Sequence, residues 1–515
     1  MSLFRPVLTV GSFTLASRVL GFARDVLIAA GLGAGPVADA FFIAFKLPNF
    51  FRRLFAEGAF SAGFVPLFSR LLQREGRPAA LAFAEAALSV LLPVLLGFVT
   101  LFQIAAPWLM FVLAPGFADD PAKFELTVTL TRIAFPYLLF ISLVSLLGGV
   151  LNALDRFAAV AATPILLNLM LILAVTVLAH FTPTPGHALA WGVSLAGMAQ
   201  FLFLVLACRR AGVALRLGWP RLGPRVRELL RLILPAALGA GVVQINLVVD
   251  VVLASFLPEG SVSYLFYADR LNQLPIGVVG VAVGTALLPT LSRLVAAGDA
   301  AGARHQLNRA LEICVLLAAP ATVAYLAIAP ELVGALFQRG AFGERQAAAT
   351  ALALQAYAVG LPAYLLTKAL TPPYFAQADT RAPVIAGLWA MAANLVLNLI
   401  LMQFLLHAGL ALGTALSAWL NVAILALGLR RRGLLAADPR LKRTLGGTLV
   451  ASLAMGAACL LLARQLADPL AGSEPVRWAA LGALVAAGLL LFLGLTQATG
   501  AVDWRRLRTE LRRRR

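Results

Sequence analysis

Residues 17–61 read SRVLGFARDVLIAAGLGAGPVADAFFIAFKLPNFFRRLFAEGAFS, a run that lies inside apolar sequence long enough to cross a bilayer. It nevertheless carries Arg18, Arg24, Lys46, Arg52 and Arg53, against only Asp25, Asp39 and Glu57. A charge at membrane depth costs about 2.5–3.5 kcal/mol per residue on insertion scales. Five cations retained at that cost point to a use. The simplest use is to hold an anion inside a water-filled cavity.

The rest of the chain sets the frame. Of 515 residues 61% are hydrophobic and 13% charged, the balance of a polytopic membrane protein rather than a soluble enzyme. The apolar runs are long and unbroken, so helices are expected and a membrane β-barrel is not. Cys208, Cys314 and Cys459 are scattered, which suggests neither a disulfide framework nor a zinc site. The first apolar run is interrupted by Arg18 and Arg24 and lacks a small-residue cleavage site, so it reads as a retained span.

Fourteen spans fit the hydropathy: 7–33, 37–69, 80–105, 124–151, 158–180, 187–207, 232–254, 262–292, 306–328, 346–376, 382–405, 409–429, 444–463 and 478–499. The second and eighth are long and are expected to bend or break at Pro48 and Pro275. With the N-terminus in the cytoplasm, inside segments hold 29 basic residues and outside segments 5. That asymmetry obeys the positive-inside rule and places both termini in the cytoplasm. Eight cations remain within spans: Arg18, Arg24, Lys46, Arg52, Arg53, Arg132, Arg270 and Lys368. The net charge of +19 is otherwise mostly topology. The basic tail, 501–515, reads as an anchor on anionic lipid, not a nucleic-acid site.

The chain also repeats itself. Phe64-Val-Pro-Leu-Phe-Ser-Arg-Leu71 matches Leu287-Leu-Pro-Thr-Leu-Ser-Arg-Leu294, and Phe42-Ile-Ala-Phe-Lys-Leu47 matches Phe266-Tyr-Ala-Asp-Arg-Leu271. Further landmarks (Pro136 with Pro362, Asp155 with Asp379, Pro164 with Pro383, Trp191 with Leu412) keep an offset near 220. The expected domains are a six-helix lobe at 1–210, a second at 225–432, and two extra helices at 440–500. Such halves enclose a central site and alternate its access.

Individual residues admit two readings each. Arg18 and Arg24, six apart, line the cavity or staple helices by pairing with Asp25 and Asp39. Arg52 and Arg53 follow Pro48 and point about 100° apart. Arg52 is assigned to the cavity and to a gate with Glu57, leaving Arg53 to pair or snorkel. Arg270 is the duplicate's counterpart of Lys46; the two clamp one anion, or Arg270 pairs internally with Asp269. Arginine suits a diphosphate because its planar fork gives bidentate bonds. Asp250, with Asp379, Asn394 and Asn398, reads as a Na⁺ or H⁺ site or as hydrogen-bonded packing. The segment Glu331–Phe342 reads as a short amphipathic helix at the outer interface. No Walker A, HExxH, CxxC or clustered acid/base set is present, so an enzyme is not expected.

Ser17-Arg-Val-Leu-Gly-Phe-Ala-Arg-Asp25, Asp39-Ala-Phe-Phe42, Phe45-Lys-Leu-Pro-Asn49, Phe55-Ala-Glu-Gly-Ala-Phe-Ser61, Ala114-Pro-Gly-Phe117, Tyr267-Ala-Asp-Arg270 and Leu336-Phe-Gln-Arg-Gly340 resemble the MurJ (MviN) family. These are bacterial lipid II flippases of the MOP exporter superfamily, relatives of the MATE drug exporters. The resemblance spans essentially the whole chain. It implies an all-α fold of fourteen transmembrane helices, with two lobes and a C-terminal helix pair grooved for the undecaprenyl tail. It implies flipping of the peptidoglycan precursor by alternating access in the bacterial inner membrane. Its cavity arginines fall on Arg18, Arg24, Arg52 and Arg270, with Asp39 and Glu57 as gating or pairing acids. It implies no cofactor, with coupling to Na⁺ at Asp250, Asp379 and Asn394 or to membrane potential. Expected partners are lipid II, the membrane, and cell-wall synthesis and division proteins, for a chain that acts as a monomer. The alternative substrate is another polyprenyl-diphosphate-linked oligosaccharide.

Overall fold

The computed structural model describes residues 4–53 and 60–502, and within them the side chains outside 4–8, 61, 236–247 and 278–286. Every regular element among the described residues is helical. In chain order, α1 (Phe4–Leu32), α2 (Pro36–Phe51), α3 (Phe60–Arg74), α4 (Arg77–Leu113), α5 (Pro121–Ala134), α6 (Tyr137–Ala153), α7 (Phe157–Thr176) and α8 (Pro185–Arg210) come first. There follow α9 (Pro224–Ser255), α10 (Ser261–Ala296), α11 (Ala300–Phe337), α12 (Glu344–Leu370), α13 (Pro372–Ala376), α14 (Arg381–Arg431), α15 (Pro439–Gln465), α16 (Ala467–Ala471) and α17 (Glu474–Ala498). Only helices satisfy their own backbone inside lipid, which is why apolar runs of this length take this form.

The chain divides into two compact units, Met1–Ser263 with Arg339–Phe342, and Tyr264–Gln338 with Gly343–Arg515. In the first, α1 packs on α7, α7 on α8, α6 on α8, and α2 on α5. Helix α9, which holds the seventh expected span, packs on α3 and α4 and so belongs to this unit. Small residues make these contacts close: a Cβ on Gly192 would lie 2.6 Å from that of Ala174. In the second unit α11 packs on α12 and α15, α12 on α14, and α15 on α17.

Nine segments among the described residues are long and apolar enough to cross a membrane on length and composition. The charged α1 and α2 are not among them, and α14 is counted once although it holds two arms. Asn394 Nδ2 donates to Thr414 Oγ1 at 3.1 Å. Twenty residues of straight helix would separate them by about 30 Å. The chain therefore doubles back, and the reversal sits at Leu406, with φ 50°. The arms 381–405 and 407–431 lie antiparallel, as the separate eleventh and twelfth spans require. Their contact is tight at Gly409, where a Cβ would fall 2.3 Å from the Leu401 carbonyl oxygen.

Neither Pro48 nor Pro275 breaks its helix. Pro48 lies inside α2, which runs on to Phe51 and closes in a π turn at Arg52 and Arg53. The helix thus continues through Pro48, because one missing donor is tolerated when the helix can widen by a residue. Pro275 lies within α10, which is helical from end to end. The clear break in α11 is at Ile328, two residues before Pro330, and the segment after it continues the helix to Phe337.

Segment 339–342 returns to the first unit and packs on the end of α1. The Ala341 amide donates to the Ala30 carbonyl at 2.8 Å. Gly340 has φ +54°, and a Cβ there would lie 2.3 Å from the Ala30 oxygen. Gly340→Ala should therefore lower the thermal unfolding midpoint, since the left-handed backbone alone costs about 1–2 kcal/mol. Gly343→Ala, where a Cβ meets nothing within 4 Å, should leave the midpoint in place. Equal midpoints for the two variants would refute this packing.

In the second unit, ion pairs fasten the start of α15 to α11. Arg309 bonds Glu312 at 2.6 Å and also Asp438, the N-cap of α15. Burial pushes the Asp438 carboxyl up, but the Leu441 amide and Arg309 outweigh it and hold it below its usual 3.8. A depressed carboxyl contributes stability that is complete above 3.8 and lost as pH falls through the folded value. Asp438→Asn should be less stable than wild type at pH 7, with the gap closing in strong acid. A gap that persists unchanged at acid pH would contradict this.

Candidate functional site

Two polar constellations are built into the first unit. The first joins α1 to α7. Arg24 donates through Nε and one terminal nitrogen to Asp25 Oδ1, at 2.9 and 2.6 Å, and through the other to Asn168 Oδ1 at 2.9 Å. Asn168 Nδ2 in turn donates to the Ser17 carbonyl at 2.9 Å. The side chains of Arg24 and Asp25 are only 11% and 6% exposed. Arg24 is eight residues from the Leu32 end of α1, about 12 Å in. Asn168 thus holds a guanidinium at membrane depth and fixes its direction. Arg18, one turn and a half earlier, is exposed.

The second lies at the start of α2. Asp39, 1% exposed, accepts four hydrogen bonds. Its Oδ2 takes Lys123 Nζ at 3.0 Å and the Gly260 amide at 2.8 Å. Its Oδ1 takes the Ser263 amide at 3.0 Å and Ser263 Oγ at 2.7 Å. The two amides open α10, so the carboxylate sits on the positive end of that helix. Lys123 is itself buried, 3.9 Å from the centre of the Phe117 ring. Asp39 and Ser263 are 224 positions apart, which is the repeat offset. Equivalent positions of the two copies therefore touch each other here.

The remaining candidates are placed as follows. Lys46 is exposed on α2, ten residues from Pro36 and so about 15 Å along it. Arg52 is half-buried with Nε donating to Asn49 Oδ1 at 2.9 Å, and Arg53 is exposed. Glu57 lies outside the described residues, so the Arg52–Glu57 gate is not placed. Arg270, nine residues into α10, stacks over Phe266 with 4.5 Å from guanidinium carbon to ring centre. Asp269 accepts from Gln273 Nε2.

The sodium set does not assemble around Asp379. Its Oδ1 accepts from the Ala382 amide and its Oδ2 pairs with Arg432, which hold its carboxyl below 3.8. It is a loop residue that caps α14. Asn394 is fifteen residues further on, about 22 Å along that helix, bonded to Thr414 and Asn398. Asp250 is half-buried on α9, in the other unit. A cation ligand set needs these oxygens within one coordination sphere, and Asp379 and Asn394 do not meet that condition. Among the described residues no three His, Cys, Asp or Glu side chains cluster.

Two residues escaped the sequence reading. Lys123 is one of the five basic residues of the outside segments, and Asn168 is one amide in an apolar run. The usable signal for Lys123 was Asp120-Pro121, a helix start that puts Lys123 in the first turn of α5. An acid as deep as Asp39 also needs a cation nearby.

Comparison with known proteins decides the family. The family model described as "Lipid II flippase MurJ" matches residues 28–476. A "Probable lipid II flippase MurJ" of Rhizobium tropici is 41% identical over 522 residues, covering 100% of this chain and 98% of that protein. The chain belongs to the MurJ lipid II flippase family. A "Lipid II flippase MurJ" of Burkholderia cenocepacia is 38% identical over 444 residues, covering 85% of this chain and 86% of that one. Among solved structures, "Lipid II flippase MurJ, inward closed conformation" aligns with a TM-score of 0.78 at 25% identity, covering 95% and 98% of the two chains. An inward-facing MATE transporter of the MOP superfamily aligns with a TM-score of 0.67 at 14% identity over 83% of this chain and 98% of that one, which shows the shared fold alone. The protein is thus an all-α, multi-pass membrane transporter of that superfamily, as the residue motifs imply.

Proposed function

We propose that this protein moves lipid II, the undecaprenyl-diphosphate-linked disaccharide-pentapeptide, from the inner to the outer leaflet of the bacterial inner membrane. The observation that carries this reading is the family match along nearly the whole chain. Arg18, Arg24, Lys46, Arg52 and Arg270 neutralise the diphosphate while the lobes alternate access. The buried Asp39 on the first amides of α10 supports a role as a latch, with both termini in the cytoplasm and the latch on the outer side. Opening there breaks the three hydrogen bonds that Gly260 and Ser263 donate to Asp39, so the outward state needs compensating contacts with substrate.

Membrane potential is the driving force on this reading. Each unit charge crossing 100 mV is worth about 2.3 kcal/mol, and a potential negative inside draws an empty cationic cavity inward. No step is assigned to Na⁺. Replacing Na⁺ by K⁺ should leave the flipping rate of reconstituted protein unchanged, and collapsing the potential should slow it. Diphosphate recognition is tested by binding: undecaprenyl diphosphate should compete with lipid II, and Arg270→Ala should weaken lipid II at least about tenfold, the loss of one charge-assisted bond. Unchanged affinity in that variant would remove Arg270 from the site.

A further inference from the structure

Arg132 is an intramembrane cation that none of the groups above uses. It is exposed, eleven residues into α5 and two before the helix ends. Two prolines explain part of its role. Pro136 has no N–H, so the Arg132 carbonyl lacks its helical donor, and Pro107 strands the Gln103 carbonyl on α4 in the same way. The two residues close each other's gap. Arg132 Nε donates to the Gln103 carbonyl at 3.1 Å, and Gln103 Nε2 donates to the Arg132 carbonyl at 2.8 Å. A neutral amide suffices for such a repair, as Gln103 itself demonstrates, so the positive charge is left unexplained.

Only Nε is committed to protein among the described residues. Arg132 also lines a groove of about 420 Å³, mostly apolar, with Pro136, Phe140, Trp191 and Met198 in its walls. Trp191 and Met198 are 49% and 41% exposed, so the groove opens sideways from the helices. α4, α5 with α6, and α8 are all apolar enough to cross a membrane. What lies beside the groove is therefore lipid. Trp191 is six residues into α8, the depth at which aromatic side chains mark the headgroup boundary.

We propose that this groove binds a membrane phospholipid, with Arg132 on its phosphate and part of one acyl chain along Phe140 and Met198. With Nε held on the Gln103 carbonyl, the two terminal nitrogens of the guanidinium are left for phosphate oxygens, whose geometry its planar fork matches. The site uses none of the residues assigned to lipid II. By the topology above it faces the outer leaflet.

The test uses full-length protein in nanodiscs with a phosphatidylglycerol that carries a photoreactive diazirine in its acyl chain. Crosslinked peptides are mapped by mass spectrometry. The α8 peptide bearing Trp191 and Met198 should be labelled, and excess phosphatidylglycerol should compete. Arg132→Gln should lower labelling of that peptide about tenfold, the loss of one charge-assisted bond, with other crosslinks unchanged. Met198→Trp, which fills the groove but keeps Arg132, should lower it as well and decides the matter should Arg132→Gln fail to fold. Unchanged labelling in these variants overturns the proposal. So does competition by diacylglycerol as effective as by phosphatidylglycerol, which would make the groove merely apolar. Competition by inorganic phosphate alone would make it a free-anion site and also overturn it.

Discussion

Asp39→Ala is expected to destabilise the protein by about 3–5 kcal/mol, the cost of breaking a buried ion pair from one side. The variant leaves Lys123 buried with its charge uncompensated, and strips the acceptor from the Gly260 and Ser263 amides and from Ser263 Oγ. Lys123→Ala should cost less, because Asp39 keeps three donors and the positive end of α10. The double variant Asp39→Ala/Lys123→Met should recover part of the loss, since no buried charge remains. Thermal unfolding midpoints of the three purified variants measure this. Equal midpoints for Asp39→Ala and wild type would mean that the carboxylate is not buried as described. In transport, Asp39→Asn should act differently from Asp39→Ala: it keeps an acceptor but loses charge, weakening the latch without emptying it.

The second large effect is at Arg24. Its guanidinium is directed by Asp25 and Asn168, so charge and direction can be separated experimentally. Arg24→Ala removes both and should reduce lipid II transport on the order of 10- to 100-fold, as expected for charge-assisted bonds of about 1.5–3 kcal/mol. Asn168→Ala keeps the charge and frees its direction, so it should give a smaller defect. Arg24→Lys should restore charge but not the two-sided grip on Asp25 and Asn168, and should fall between them. The order is read from growth of cells that depend on the variant, at matched membrane levels. If Arg24→Ala supports normal growth, Arg24 is a staple between α1 and α7 and no more.

Much of this was legible in the chain because bilayer physics is simple. The spans 158–180, 187–207, 444–463 and 478–499 fall on α7, α8, α15 and α17 within a few residues. The split between 382–405 and 409–429 is matched by the reversal at Leu406, where the backbone leaves the helical region. Proline was the weaker guide. Pro48 and Pro275 sit inside helices, whereas the turn in α14, at Leu406, falls in the expected gap 406–408 with no proline to mark it. Tertiary packing decides whether a helix breaks at a given proline, and a linear pattern does not contain it.

The site was legible as an inventory and not as a wiring diagram. Charge at depth pointed to Arg24 and Asp39, and Arg24 does pair with Asp25 as one of its two readings has it, but the distant partners, Asn168 and Lys123, lie 144 and 84 residues away. Nothing local announces either pairing. Asp379 shows the opposite case. Grouped with Asp250, Asn394 and Asn398, it reads as an ion site or as hydrogen-bonded packing, and in the structure it caps a helix and pairs with Arg432. A carboxylate two residues before a helix start is more simply read as a cap.

The central claim is tested most directly by asking which leaflet holds lipid II in cells depleted of this protein. An externally added toxin that cleaves only outward-facing lipid II provides the readout. Cleavage should collapse on depletion and return with the wild-type protein but not with Arg24→Ala or Arg270→Ala. Lipid II that stays fully cleavable without the protein would contradict the account and redirect it to another polyprenyl-diphosphate-linked oligosaccharide.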